Sequence, residues 1–175
     1  MRISVVAKEI NEWSGSVLIA GILEEAIECQ INSFKTIIND TYLKQRFNDA
    51  KFEGQKSQKL SIELAEGNIK KIIFVGLGKA ENLRIDDLRK AASTATRKVL
   101  GYEKKLGISF PWDAFDPSSA ASAVGEAVRL SSIKDLRFKS EPKESTSIEE
   151  VELIGLDVKA TESAIAEIMP ICEGV

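Results

Sequence analysis

The chain has 175 residues and no histidine, and its 24 Lys and Arg against 27 Asp and Glu leave a formal net charge of −3. The missing histidine excludes a Ser-His-Asp triad, a Cys-His dyad, zinc held by imidazole and haem held by a proximal histidine. The hydrophobic content of 43% is ordinary for a globular protein, and the length predicts a single domain over residues 1–175.

The cysteines and the apolar runs indicate the compartment. Cys29 and Cys172 lie far apart and in no CxxC spacing, which predicts two reduced thiols buried as small hydrophobes rather than a disulfide or a zinc site. No signal peptide is visible after Met1, and the apolar run 17–23 is too short to span a bilayer. We therefore expect a cytoplasmic protein with no membrane partner. The acidic net charge disfavours nucleic acid as a partner, and the lysines between 51 and 71 are interpreted as a solvated face.

Short apolar runs alternate with amphipathic stretches along the chain. The strongest strand signal is 72–75, which is continuously apolar, as expected where helices cover both faces of a sheet. Asp116 followed by Pro117 has the form of an N-cap and a first helical position. The predicted strands are 3–7, 17–23, 60–64, 72–75, 106–110 and 151–156, and the predicted helices are 31–42, 88–99, 117–128 and 160–172.

The order of these elements, ββα-ββα-βα-βα, predicts a three-layer α/β/α sandwich with a mixed sheet. The polar stretch 48–58 is predicted as a loop. The stretch 139–147 is charged and contains Pro142, so it is predicted as a flexible excursion.

A glycine loop follows the strongest strand, and it is the sharpest local candidate for a site: Gly76, Leu77, Gly78 and Lys79. A buried strand that ends in glycines before a helix can aim backbone N–H groups at a phosphate. The pattern departs from known phosphate loops, because Glu81 stands where a third glycine is needed and Ala80 follows Lys79. Two interpretations stay open: a weak cofactor-binding loop, or a tight strand-to-helix turn without a ligand.

Paired carboxylates and two tryptophans complete the candidates. None of the pairs is accompanied by the further ligands that a two-metal site needs, so no catalytic or metal residue is predicted. Trp13 and Trp112 lie beside turn residues, where an indole could stack on a ligand. The carboxylate pairs are Glu24-Glu25, Asp86-Asp87 and Glu149-Glu150.

The segment 72–100, which reads IIFVGLGKAENLRIDDLRKAASTATRKVL, resembles the leucyl (cytosol) aminopeptidases, where a strand ends in Val-Gly-Leu-Gly before a Leu-Arg-x-Ala-Ala helix. Residues 52–56 are similar to the family's Phe-x-Gly-Lys region, with Gln55 inserted. Residues 123–140 resemble the helix that leads to a Tyr-x-Phe-x-x-Tyr-Lys-Ser ending, with both tyrosines missing here. Residues 171–175 resemble the helix that continues into the catalytic domain.

The resemblance implies that 1–175 is the amino-terminal, non-catalytic domain of such an enzyme, with an α/β fold similar to macro domains. The family's motifs for two divalent metals, zinc or manganese, belong to the catalytic domain and are not found in this chain. The partners implied are that catalytic domain and further copies in a hexamer. The parent enzyme would remove amino-terminal residues from peptides.

Two alternatives from other classes stay open. The glycine loop and the implied fold favour a macro-domain-like module that binds ADP-ribose or a nucleotide. A DNA-binding accessory domain is the second alternative, since some bacterial members of the family act on DNA and a local lysine patch can exist within an acidic protein.

Overall fold

A computed structural model describes residues 1–99, 104–132 and 148–168. A six-stranded sheet runs in the order β1-β6-β5-β2-β4-β3, with β3 antiparallel to β4 and every other neighbouring pair parallel. The strands are β1 Arg2–Val6, β2 Val17–Leu23, β3 Lys59–Glu63, β4 Lys71–Gly78, β5 Lys105–Ser109 and β6 Glu150–Ile154. The helices are α1 Ile27–Asn32, α2 Asp40–Asp49, α3 Ile85–Val99, α4 Pro117–Ser132 and α5 Val158–Ile168.

The mixed α/β architecture predicted from the sequence is confirmed. Side chains on one face of the sheet, such as Ile19, Ile73 and Leu153, pack under α3, α4 and α5. Side chains on the other face, such as Leu18 and Phe74, pack under α1 and α2. The alternation of side chains along each strand separates the two cores.

The single helix predicted over 31–42 is wrong, because the chain forms two helices there. Asn39 has an extended backbone, and its side-chain oxygen accepts a hydrogen bond from the backbone N–H of Tyr42 at 3.0 Å, which begins α2. Asparagine is a favoured N-cap, so α2 begins here as a separate helix, after α1 has ended at Asn32. Phe34 and Ile38 remain buried in the turn between the helices, whereas Tyr42 is 45% exposed. The predicted loop at 48–58 begins later, because α2 extends to Asp49.

Among the described residues, the strands β1, β6 and β5 are covered by helices on one face of the sheet only. On the side of α1 and α2, these strands carry a ladder of charges: Arg2 contacts Glu150 at 2.6 Å, and Lys105 contacts Glu150 at 3.4 Å and Glu152 at 3.0 Å. The indole N–H of Trp13 donates to Oε2 of Glu152 at 2.7 Å. Charged side chains and one buried tryptophan therefore stand where α1 and α2 do not reach.

The thiol of Cys29 is free, but the prediction that it is buried is wrong, because Cys29 lies on the exposed side of α1. The predicted excursion at 139–147, Cys172 and the predicted end of the last helix lie outside the described residues. Within the described residues, no helix combines the length and the apolar composition that crossing a membrane requires.

Candidate functional site at the carboxyl ends of the strands

The glycine loop is the continuation of a strand. Gly76, Leu77 and Gly78 belong to β4 and are buried, and Lys79 is the exposed N-cap of a 3-10 turn at Ala80–Asn82. The backbone N–H of Gly76 donates to the carbonyl of Gln58 at 2.9 Å, and that of Gly78 donates to the carbonyl of Gly54 at 2.8 Å. These two N–H groups are therefore bonded to the chain's own carbonyls.

Glycine is required at position 76 because the segment 52–58 crosses β4 there. A Cβ at Gly76 would lie 2.0 Å from the carbonyl oxygen of Gln55 and 2.7 Å from the carbonyl carbon of Gly54. Gly54 itself has a φ of +74°, which places it in the left-handed region that favours glycine. The glycines thus serve a close approach of two backbone segments.

A carboxylate of this chain accepts a hydrogen bond from the next backbone N–H after the loop. Oε1 of Glu25, just beyond β2, accepts the backbone N–H of Ala80 at 2.6 Å. This is the contact that an anionic ligand would make at such a turn. One of the three carboxylate pairs therefore has a member with a structural role at the predicted site.

The start of α3 is fastened to the 52–58 segment through Asp87. Its Oδ2 accepts hydrogen bonds from Nζ of Lys56 at 2.7 Å and from the backbone N–H of Arg84 at 2.9 Å. Burial raises the pKa of Asp87, and the hydrogen bonds from Lys56 and Arg84 lower it. The lowering effects prevail in sum, so the pKa lies below the ordinary value of an aspartate.

The two tryptophans and Asp116 are also held by internal contacts. Trp13 is 4% exposed and Trp112 is 7% exposed, and the Trp112 indole N–H donates to the carbonyl of Ile154 at 2.7 Å. Neither ring offers a free face for stacking on a ligand. Asp116 caps α4 as predicted, since its Oδ2 accepts both the backbone N–H and the hydroxyl of Ser119 at 2.9 Å.

A cleft of about 660 Å³ lies beyond the carboxyl ends of β1, β6 and β5. The loop after β1, the loop after β5 and the turn after α1 form its walls, and Phe110 and Trp112 lie beneath it. A smaller cavity of about 180 Å³ shares Ser109 and Phe110 with it and extends toward β2.

Topology explains why the cleft forms at this edge. β2 leads into α1 on one face of the sheet, and its neighbour β5 leads into α4 on the other face. Where two adjacent parallel strands lead into helices on opposite faces of the sheet, the loops that follow them diverge. A crevice then opens beyond the carboxyl ends of these strands. The cleft was not predicted from the sequence, because its lining residues lie in four separate segments and its polar side chains in three of them. The predicted carboxyl ends of the strands were the one signal in the sequence that could have indicated the position of the cleft.

The cleft has polar walls. Lys8, Glu9 and Asp113 are exposed around it, together with the amides of Asn11 and Asn32 and the hydroxyls of Ser33 and Thr36. The arrangement suits the binding of a polar organic molecule. Within residues 1–99, 104–132 and 148–168, no group of three or more His, Cys, Asp or Glu side chains could hold a metal ion.

A family model described as the cytosol aminopeptidase family, N-terminal domain, matches residues 19–142 of this chain. Among curated relatives, the probable cytosol aminopeptidases of Prochlorococcus marinus strains MIT 9211 and MIT 9313 are 43% and 37% identical over 175 residues. The probable cytosol aminopeptidase of Synechococcus sp. strain CC9902 is 36% identical over 183 residues. Each match covers 100% of this chain and 35% of the relative, so the chain spans about a third of the relatives' length.

Solved structures show the same fold. A mutant of tomato leucine aminopeptidase superposes with a TM-score of 0.79 at 21% identity, over 99% of this chain and 36% of that chain. The bottromycin maturation enzyme BotP superposes with a TM-score of 0.57 at 20% identity, over 89% of this chain and 30% of that chain. At these identities the likeness concerns the fold alone.

Proposed function

This chain belongs to the cytosol aminopeptidase family, as its N-terminal domain, and from that premise we propose that it is the non-catalytic part of an enzyme that removes amino-terminal residues from peptides. The family match over residues 19–142 carries the proposal. We take residues 1–175 as one domain, because two cores share a single sheet.

The catalytic chemistry belongs, on this proposal, to a part of the protein outside these 175 residues. The described residues do not fit a metal centre, since they bring no three metal-ligating side chains together. Two divalent metals, zinc or manganese, would be held in the catalytic domain. BotP, which shares the fold, is described in complex with Mn.

The proposed role of this domain is to pack on its own catalytic domain and to support a hexamer. The relatives are long enough for such a second domain, because this chain covers only 35% of them. The relatives are named probable cytosol aminopeptidases, and we propose a cytoplasmic location for this protein on that basis.

Peptidase assays test the division of labour. We expect the purified 175-residue chain to leave leucine p-nitroanilide intact with added Mn²⁺, while the complete Prochlorococcus marinus MIT 9211 relative hydrolyses it. Hydrolysis by the 175-residue chain would contradict the proposal. As a control against a contaminating protease, the hydrolysis by the complete relative should persist with a serine-protease inhibitor and disappear with a chelator.

A chimera tests the supporting role. In it, this chain replaces the matched 35% of the MIT 9211 relative, and light scattering reports the mass of the assembly. We expect the chimera to be hexameric and active, and the relative without that portion to lose the hexamer. A truncated relative that stays hexameric would overturn the assembly role.

A further inference from the structure

We infer that the cleft beyond β1, β6 and β5 is a binding site for short peptides that carry a free amino terminus. This inference goes beyond the proposed function, which assigns this domain no ligand. It rests on the cleft's own geometry and charge, so its failure would leave the family assignment and the supporting role untouched.

The floor of the cleft is fixed by internal contacts. The Trp112 indole N–H is bonded to the carbonyl of Ile154 at 2.7 Å, and the Trp112 and Phe110 rings lie 5.5 Å apart. The backbone N–H of Gly155 donates to the carbonyl of Val6 at 2.9 Å. These contacts join the ends of β1, β5 and β6, so the floor of the cleft is already formed without a ligand.

One wall is fixed in the same way. The Gln30 side chain accepts the backbone N–H of Leu23 at 2.9 Å and donates to the carbonyl of Gly21 at 3.4 Å. This ties α1 to the end of β2. The turn that follows α1 and carries Asn32, Ser33 and Thr36 is thereby held beside the cleft.

Most of the polar side chains in the walls form no hydrogen bond or ion pair with the rest of the described protein. Among the residues that the structure describes, the side chains of Lys8, Glu9 and Asp113 form no hydrogen bond or ion pair with the protein, nor do those of Asn11 and Asn32. The glycine loop is the opposite case, because the carbonyls of Gln58 and Gly54 accept two of its N–H groups and Glu25 accepts the next one along the chain. The exposed side chains of the walls line one cleft and are free to pair with a ligand there.

Their charges select the ligand. Glu9 and Asp113 against Lys8 leave the walls with one net negative charge, which favours an ammonium group over a phosphate. The amides and hydroxyls can pair with the N–H and C=O groups of a peptide backbone. A volume of about 660 Å³ lies within the common range for organic ligands. The combination fits a few residues of peptide with the α-ammonium group at the carboxylates.

Calorimetry on the 175-residue chain tests this with three probes: the tripeptide Leu-Gly-Gly, its N-acetylated form, and ADP-ribose. We expect the free tripeptide to bind and acetylation to weaken binding about tenfold, because it removes the charge that the carboxylates recognise. This comparison uses the unaltered chain, so it does not depend on whether a variant folds. The absence of heat at millimolar tripeptide, or equal binding of both peptides, would overturn the inference. Tighter binding of ADP-ribose would overturn it as well and identify a nucleotide site instead.

Variants then locate the site. Glu9→Gln and Asp113→Asn should each weaken the free tripeptide several-fold and leave the acetylated peptide unaffected. Glu12→Gln is the matched control, because Glu12 lies in the same 3-10 turn region and is exposed, yet it does not line the cleft. A loss of binding in the control equal to that in Asp113→Asn would refute the assignment to this cleft.

Discussion

The carbonyl oxygen of Gln55 packs against the α-carbon of Gly76, and a Cβ at Gly76 would lie only 2.0 Å from that oxygen. Gln55 is the residue by which this sequence departs from the Phe-x-Gly-Lys pattern, and Gly76 opens the glycine loop. The backbone N–H of Gly76 bonds to Gln58 of the same crossing segment. The glycine that looked like a phosphate-loop residue is thus explained by a backbone crossing.

Replacing Gly76 by alanine should therefore destabilise the fold. The added methyl group must displace backbone, and overpacking of this kind costs about 1–3 kcal/mol. Urea unfolding followed by circular dichroism measures it. Gly67→Ala is the control, since Gly67 has a φ of +84° but no atom within 4 Å of its Cβ position. A smaller loss in Gly67→Ala than in Gly76→Ala is expected, and a Gly76→Ala variant as stable as wild type would refute the crossing as the reason for glycine.

Asp87 should give the domain a pH-dependent contribution to stability. Its pKa is lower in the folded state, so the contribution is complete above the unfolded value of about 4. It is lost as the pH falls through the lower, folded value. The difference in unfolding free energy between wild type and Asp87→Asn should thus be constant near neutrality and shrink below about pH 4. Asp86→Asn, one residue away and bonded only to Arg89 at 2.7 Å among the described residues, serves as the control. A difference that stays the same down to about pH 2 would contradict this.

Loss of the Glu152 carboxylate should be costly. Trp13 is 4% exposed and would keep an indole N–H without a partner, which costs about 1–3 kcal/mol. Glu152→Ala also removes the contact with Lys105, whose pKa is raised by the hydrogen bond that it donates to Glu152. Glu149→Ala is the comparison, because Glu149 pairs with Lys104 in an exposed bridge at 2.8 Å. Chemical unfolding should show a clear loss for Glu152→Ala and little change for Glu149→Ala, and equal effects would argue against the role of Trp13.

Trp112→Phe should weaken the floor of the cleft. The substitution keeps an aromatic ring beside Phe110 but leaves the carbonyl of Ile154 without its indole donor. A loss of about 1 kcal/mol in unfolding free energy is expected. Tripeptide affinity should fall in the same variant, since the loops that the bond joins carry Asp113 and Gly155. Unchanged affinity and stability together would show that the floor does not depend on this bond.

The sequence by itself determined the class of fold and the family. Apolar runs and apolar alternation located all six strands within a few residues, because the burial of a strand shows in the order of its consecutive residues. The motif from Ile72 onward carried the family resemblance. Local chemistry also identified the Asp116 cap of α4.

Only the tertiary structure decided what the glycines and charges do. In place of the helix predicted over 31–42, α1 ends at Asn32 and α2 begins after Asn39, whose side chain caps it. Hydrophobic periodicity does not report such a cap. Gly76 owes its identity to Gln55, 21 positions earlier in the sequence. The cleft gathers Lys8, Asn32 and Asp113 from distant segments. Such contacts join residues far apart in the chain, so no local pattern in the sequence reports them.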